Sequence, residues 1–159
     1  MHLAFYRYSK SDSIFKTFID RIICWWTCGP YSHVEIVWSL DFEKMIGISS
    51  SSSPRDGGVR TKEIYFDSDK WTFVEICGNE LKAKEWFLEH SGEKYDFTAI
   101  LGYLWRPLNK HNNKWICSES ICEAFGANDS WRYDPNLLFN LISKFLLFLL
   151  RVSFRYHFD

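Results

Sequence analysis

The sequence predicts an α+β domain in which a small antiparallel sheet packs against helices. Between residues 33 and 76 the chain reads as short strands broken by polar turns. On both sides of that stretch, apolar residues recur at helical spacing. The 159 residues make one domain, long enough to bury a core without disulfides or a metal.

Residues 3–8 form the first strand. Residues 9–13 are polar, and Ser11 or Asp12 supplies a cap for the helix that follows. Over 14–26, Ile14, Phe15, Phe18, Ile19, Ile22, Ile23 and Trp26 repeat at helical spacing, and Gly29-Pro30 stops the run. The next strand runs through Trp38. It alternates His33, Glu35 and Val37 on one face with Val34 and Ile36 on the other. Residues 44–48 form another strand. The serines of 49–53, with Pro54-Arg55-Asp56-Gly57-Gly58 after them, read as a flexible loop. Strands over 59–66 and 71–76 flank a polar turn at 67–70.

Residues 80–90 form an amphipathic helix with Leu81, Ala83, Trp86 and Phe87 inward, ended by Gly92. Asp96 caps a helix over 97–105 that Pro107 stops. After a polar loop at 110–114, a helix runs from Cys117 to Phe125, with Gly126 as its stop. The last helix covers 135–152, with Pro135 at an allowed early position. Leu137, Leu138, Leu141, Ile142, Phe145, Leu149 and Val152 make its apolar stripe, which Lys144 and Arg151 interrupt. A bilayer span needs roughly 20 mostly apolar residues, so burial against the domain or a protein partner is the favoured reading. The alternative is an interfacial helix with Lys144, Arg151 and Arg155 at lipid headgroups, a peripheral membrane contact.

Lys plus Arg total 19 and Asp plus Glu 20, a net charge of -1, which offers no basic face to nucleic acid. Aromatic residues make up 19% of the chain, which implies a ring-rich core or a face for apolar ligands. The cysteines at 24, 28, 77, 117 and 122 are odd in number, and no leader pattern opens the chain. Both points argue for a reducing, cytoplasmic compartment and against a disulfide framework. Cys24 and Cys28 lack a second ligand pair at finger-like spacing, so they read as small apolar residues on one helix face, and no metal site is expected.

Two stretches carry chemistry. In Lys114-Trp115-Ile116-Cys117-Ser118-Glu119 a thiol opens a helix, where unpaired N–H groups favour the thiolate, the nucleophilic form. In Tyr31-Ser32-His33-Val34-Glu35 a histidine and a carboxylate share one strand face. A Cys at a helix start with a His on a strand are the parts of a cysteine hydrolase. Glu35 is the first choice for the group that orients the imidazole. Cys122, five residues on, faces elsewhere and reads as core.

These pieces resemble the circularly permuted branch of the NlpC/P60 (papain-like) superfamily, the YiiX-like and lecithin:retinol acyltransferase-like proteins. The matching segments are Tyr31-Ser32-His33-Val34-Glu35, Gly92-Glu93-Lys94-Tyr95-Asp96 and Trp115-Ile116-Cys117-Ser118-Glu119, in the order that branch shows. Residues 49–59 are also similar to short phage-encoded members. The resemblance implies a permuted papain-like fold with Cys117 as nucleophile and His33 as base. It sets the third polar member near Ser49 and Ser50, where many relatives have Glu and this chain has serine. Tyr31, Ser49, Ser50 and Trp115 are then expected to contact substrate.

The implied activity is amidase or peptidase chemistry through a thioester, acting on a peptide or amide-containing substrate and needing no cofactor. Two alternatives stand beside it. One is an acyltransferase or lipid hydrolase of the same fold. The other is a catalytically inactive papain-like module that binds a partner protein.

Overall fold

The structure, a computed structural model, describes residues 1–8, 14–102 and 113–144. Along the chain it gives β1 (His2–Arg7), α1 (Ile14–Trp26), β2 (Tyr31–Asp41), β3 (Ile46–Ser53), β4 (Gly58–Tyr65) and β5 (Trp71–Glu75). There follow α2 (Glu80–Glu89), β6 (Lys94–Tyr95), α3 (Phe97–Gly102), β7 (Lys114–Trp115), α4 (Cys117–Ala124) and a 3-10 turn at Ser130–Arg132. Residues 135–144 form a further helix, α5. Seven strands make one sheet in the order β5-β1-β2-β3-β4-β6-β7. All neighbours pair antiparallel except β6 and β7. The expected mixed α+β architecture, antiparallel in the main, is what the chain forms.

The larger core lies on one face of the sheet. Leu3 and Phe5 of β1 and Val34 and Ile36 of β2 meet Ala83 and Phe87 of α2, Ile121 and Cys122 of α4, and Leu138 of α5. Each such large side chain contributes roughly 1.5–3 kcal/mol by leaving water. Ala4, Val37 and Phe66 gather on the opposite face. Tyr31 and Val34 both belong to the larger core although they lie three residues apart, a spacing that puts strand residues on opposite faces. A bulge resolves this: Tyr6 pairs with His33 and Arg7 with Tyr31, leaving Ser32 as an extra residue. Asn136 secures the place. Its Oδ1 accepts from the Tyr31 N–H at 2.9 Å, and its Nδ2 donates to the Tyr31 carbonyl at 2.8 Å.

Three local readings are corrected. The serines at 49–53 form the second half of β3 rather than a loop, and all five are buried. Low complexity misleads here because every hydroxyl finds a hydrogen bond, so a polar strand satisfies itself inside the molecule. Leu81 is 69% exposed, since α2 turns only Ala83 and Phe87 fully inward. Cys28 is exposed in a left-handed turn after α1, so it shares no packed helix face with Cys24. Asp96 does cap α3, its Oδ1 accepting from the N–H groups of Thr98 and Ala99. Residues 103–105 and 145–152 of the two expected helices lie outside the described residues, so the expected stripe at 135–152 is seen only to 144. Among the described residues, no helix is long and apolar enough to cross a membrane.

The β4–β6 junction brings β7 and α4 to the sheet. The Val59 N–H donates to Glu93 O, Gly92 N–H to Val59 O, and Tyr95 N–H to Gly57 O, each at 2.9 Å. Gly58 sits at φ 155°, and a Cβ there would stand 1.8 Å from the Glu93 carbonyl oxygen. Gly57 has φ 84° but open space around it. In urea unfolding, Gly58→Ala is therefore expected to lose more than about 3 kcal/mol. Gly57→Ala should lose only about 1 kcal/mol. Equal losses would contradict this account of the junction.

Candidate functional site

Cys117 is placed by the backbone just before it. The Trp115 carbonyl accepts from Ser52 Oγ at 2.6 Å and from the Asp96 N–H at 3.2 Å. The Trp115 ring is held by edge-on contact with Trp86 and by its Nε1 donating to Glu93. Ile116 is the helix N-cap, extended and without a side-chain acceptor. The Glu119 carboxylate takes the Ile116 N–H instead, at 3.4 Å. The N–H groups of Cys117 and Ser118 thus fall in the first helical turn, which has no preceding carbonyl within the helix to bind them.

His33 emerges one residue after the Ser32 bulge, and Glu35 follows on its face. His33 Nε2 contacts Glu35 Oε1 at 2.7 Å. The Cys117 side chain lies near enough to His33 to act on its ring electrostatically. Glu35 is 1% exposed, so its charge must be paired. Arg60 supplies the pairing in a fork: one terminal nitrogen donates to Oε2 at 2.6 Å and the other to Oε1. Ser49 Oγ donates to Oε2 at 3.2 Å. Beyond Arg60, Asp56 accepts from Arg60 Nε at 2.7 Å and from Lys62 Nζ at 2.6 Å.

The result is a run of alternating charge: Lys62, Asp56, Arg60, Glu35, His33 and then the Cys117 sulfur. Arg60 belongs to β4 and Glu35 to β2, with β3 between them. The guanidinium therefore reaches across two inter-strand spacings, about 10 Å. Ser49 and Ser51, small and on that face of β3, leave it room.

The titration behaviour follows from these contacts. Burial alone would raise the Glu35 carboxyl, but the hydrogen bonds and charges of Arg60 and His33 outweigh it and lower it to about 2. Burial alone would lower His33, but the Cys117 sulfur and the Glu35 carboxylate raise it to about 9. Asp56 is held at about 2, its partial burial outweighed by Lys62 and Arg60. Tyr95 is raised well above its ordinary value by burial and then by the charges of Cys117, Asp20 and Asp96, which marks it as a neighbour of the sulfur.

A cavity of about 320 Å³ opens beside His33, and its walls include Glu35, Ser32 and Tyr95 but not Cys117. The structure thus brings Cys117, His33 and Glu35 together. The residues expected to contact substrate have other surroundings. Tyr31 is buried against Phe5 and Phe139, its hydroxyl on Thr72. Ser49 holds Glu35, and Ser50 bonds Trp38 Nε1 and Thr61. Trp115 packs in the ring cluster behind Cys117. None of the four is among the described residues lining this cavity, because their side chains are spent on building its support. Arg60, Ser32 and Asn136 escaped the sequence reading. The one available signal was that an inward Glu35 demands a cation, and β4 carries Arg60 and Lys62.

The chain matches no protein-family model, no curated protein and no solved structure.

The charge run makes stability depend on acid. Glu35 and Asp56 ordinarily titrate at 4.5 and 3.8 and are held at about 2 in the fold. A lowered carboxyl binds protons more weakly when folded, so its stabilisation is complete above about 4.5 and is lost as pH falls towards about 2. The urea midpoint should drop over that window, and should drop less in Glu35→Gln. Arg60→Leu, which strands the Glu35 charge, should cost about 3–5 kcal/mol at pH 7. A midpoint flat from pH 5 to 2 would contradict the pairing.

Proposed function

We propose that this protein is a cysteine hydrolase, an amidase or peptidase, in which Cys117 attacks, His33 moves protons and Glu35 orients the imidazole. The observation that carries this reading is the contact order Cys117–His33–Glu35, with the carboxylate fixed from behind by Arg60. A protonated imidazole between a carboxylate and a sulfur donates from both ring nitrogens, and a cation beside a thiol favours the thiolate. The chain order, His-bearing strand first and Cys-bearing helix later, supports the finer reading of the fold as permuted papain-like.

The reaction runs as follows. The Cys117 sulfur bonds to the carbonyl carbon of an amide, and the C=O electron pair moves onto oxygen. The N–H groups opening α4 stabilise that oxyanion. The C–N bond breaks as His33 gives its proton to the departing nitrogen, leaving a thioester on Cys117. His33, now neutral, takes a proton from water, whose oxygen attacks the thioester. The carboxylic acid leaves and the Cys117–His33 pair is restored. Since His33 is the acid of the first step and titrates at about 9, turnover falls as pH rises through that value.

Iodoacetamide tests the nucleophile without knowledge of the substrate. At pH 7 it should alkylate Cys117 faster than exposed Cys77, as resolved by peptide mass spectrometry. His33→Ala should slow that reaction at least about tenfold while leaving the rate at Cys77 unchanged. A Cys117 no more reactive than Cys77 would favour a partner-binding module without activity.

A further inference from the structure

Helix α1 presents the wrong side to water. A surface helix ordinarily turns its apolar residues to the domain and its charges outward. The inward side of α1 does hold Ile19 and Ile23, in the wall of the cavity beside His33. It also holds Asp20, the only acid of the helix, which is 8% exposed and 3.8 Å from Arg55. The outward side carries Phe18 at 65% exposure and Trp25 at 74%. Trp26 is also exposed, its ring 5.8 Å from that of Trp25. Arg21, exposed, stands between them in the chain. Phe18, Arg21, Ile22 and Trp25 have the spacing of a single helix face. The Phe18 and Trp25 positions lie two turns apart, about 10 Å along the axis. Both rings therefore enter a flat surface together when the helix lies parallel to it.

Charge and ring chemistry indicate what covers this face. The acid of α1 is turned inward and paired, while Arg21 is turned outward, so the face is cationic and complements an anionic surface. Indole joins a large apolar ring to one N–H donor, which suits the boundary between acyl chains and headgroups. Trp and Phe with Arg among them have the make-up of an interfacial helix. A second copy fits less well. An isologous contact of α1 with itself would bring two Arg21 side chains to one interface with no outward acid of the helix to answer them.

We propose that the outward face of α1 docks on an anionic lipid surface, with Phe18, Trp25 and Trp26 at the headgroup–acyl boundary and Arg21 on the anionic headgroups. The helix lies on the surface rather than across it. This face is separate from the apolar stripe of α5, and its docking does not depend on the chemistry at Cys117. Because α1 walls the cavity beside His33, docking would set that cavity close to the lipid.

Cosedimentation of the full chain tests this, with vesicles of phosphatidylcholine alone and of phosphatidylcholine mixed with phosphatidylserine. The wild-type protein should pellet with the mixed vesicles, less with the neutral ones, and be released by salt. Phe18→Ser with Trp25→Ser should weaken binding at least about tenfold. Arg21→Glu should remove the preference for phosphatidylserine. Leu137→Ser with Leu141→Ser, on the exposed side of α5, should bind as wild type does. A second reading covers the case in which the ring variant folds poorly. Vesicles with brominated acyl chains should quench part of the tryptophan fluorescence of the wild-type protein, and Trp25→Phe, which keeps an aromatic ring, should lose part of that quenching. The proposal is overturned if the wild-type protein does not pellet with the mixed vesicles, or if a folded ring variant pellets as well as wild type. It is equally overturned if the loss falls on the α5 variant instead, or if Trp25→Phe is quenched as much as wild type.

Discussion

A carboxylate buried to 1% exposure has to be answered by cations, and much of this structure is arranged around Glu35 for that reason. Arg60 comes from one side and His33 from the other, with the Ser49 hydroxyl donating between them. Each partner is then constrained by its own neighbour. Asp56 and Lys62 hold Arg60 in place, and the Cys117 sulfur completes the surroundings of His33. Losing Arg60 would leave the Glu35 charge short of its fork partner at 1% exposure. The site is therefore coupled to the stability of the sheet that carries it, and substitutions along the run should not be additive.

The serine strand is what makes the arrangement fit. On one face of β3, small side chains let an arginine cross from β4 to β2. On the other, Ser52 reaches the Trp115 carbonyl and ties the start of α4 to the sheet. Larger apolar residues on β3 would fill the space that Arg60 uses and leave the Trp115 carbonyl short of a donor. The bulge at Ser32 plays a comparable part on β2, keeping Tyr31 in the core while His33 faces the cavity.

What the sequence revealed and what it hid divide along the range of the interactions. Strand alternation put His33 and Glu35 on one face, and a thiol at the onset of helical spacing marked Cys117, because these are local patterns. The five serines look like a loop because composition says nothing of partners distant in sequence: Ser49, Ser50 and Ser51 bond strands 11 to 17 residues away, and Ser52 bonds Trp115, 63 residues on. Arg60 was missed because its partner lies across an intervening strand, which only the register reveals. Asn136 was missed because it binds the backbone of Tyr31, 105 residues earlier in the chain. Tyr31 and Trp115 stand near the site by adjacency to the motifs, and Ser49 and Ser50 by the family resemblance; the structure sets Tyr31, Ser50 and Trp115 behind the site and bonds Ser49 to Glu35.

The central claim is that His33 bears a proton at neutral pH because it stands between Glu35 and the Cys117 sulfur. Titration of the ring nitrogens of 15N-labelled histidine by NMR tests this directly. The account predicts that the His33 ring stays doubly protonated through neutral pH and titrates at about 9, well above its ordinary 6.5. In Cys117→Ala that value should fall. A His33 that titrates near 6.5 in the wild-type protein, unchanged when Cys117 is replaced, would contradict it.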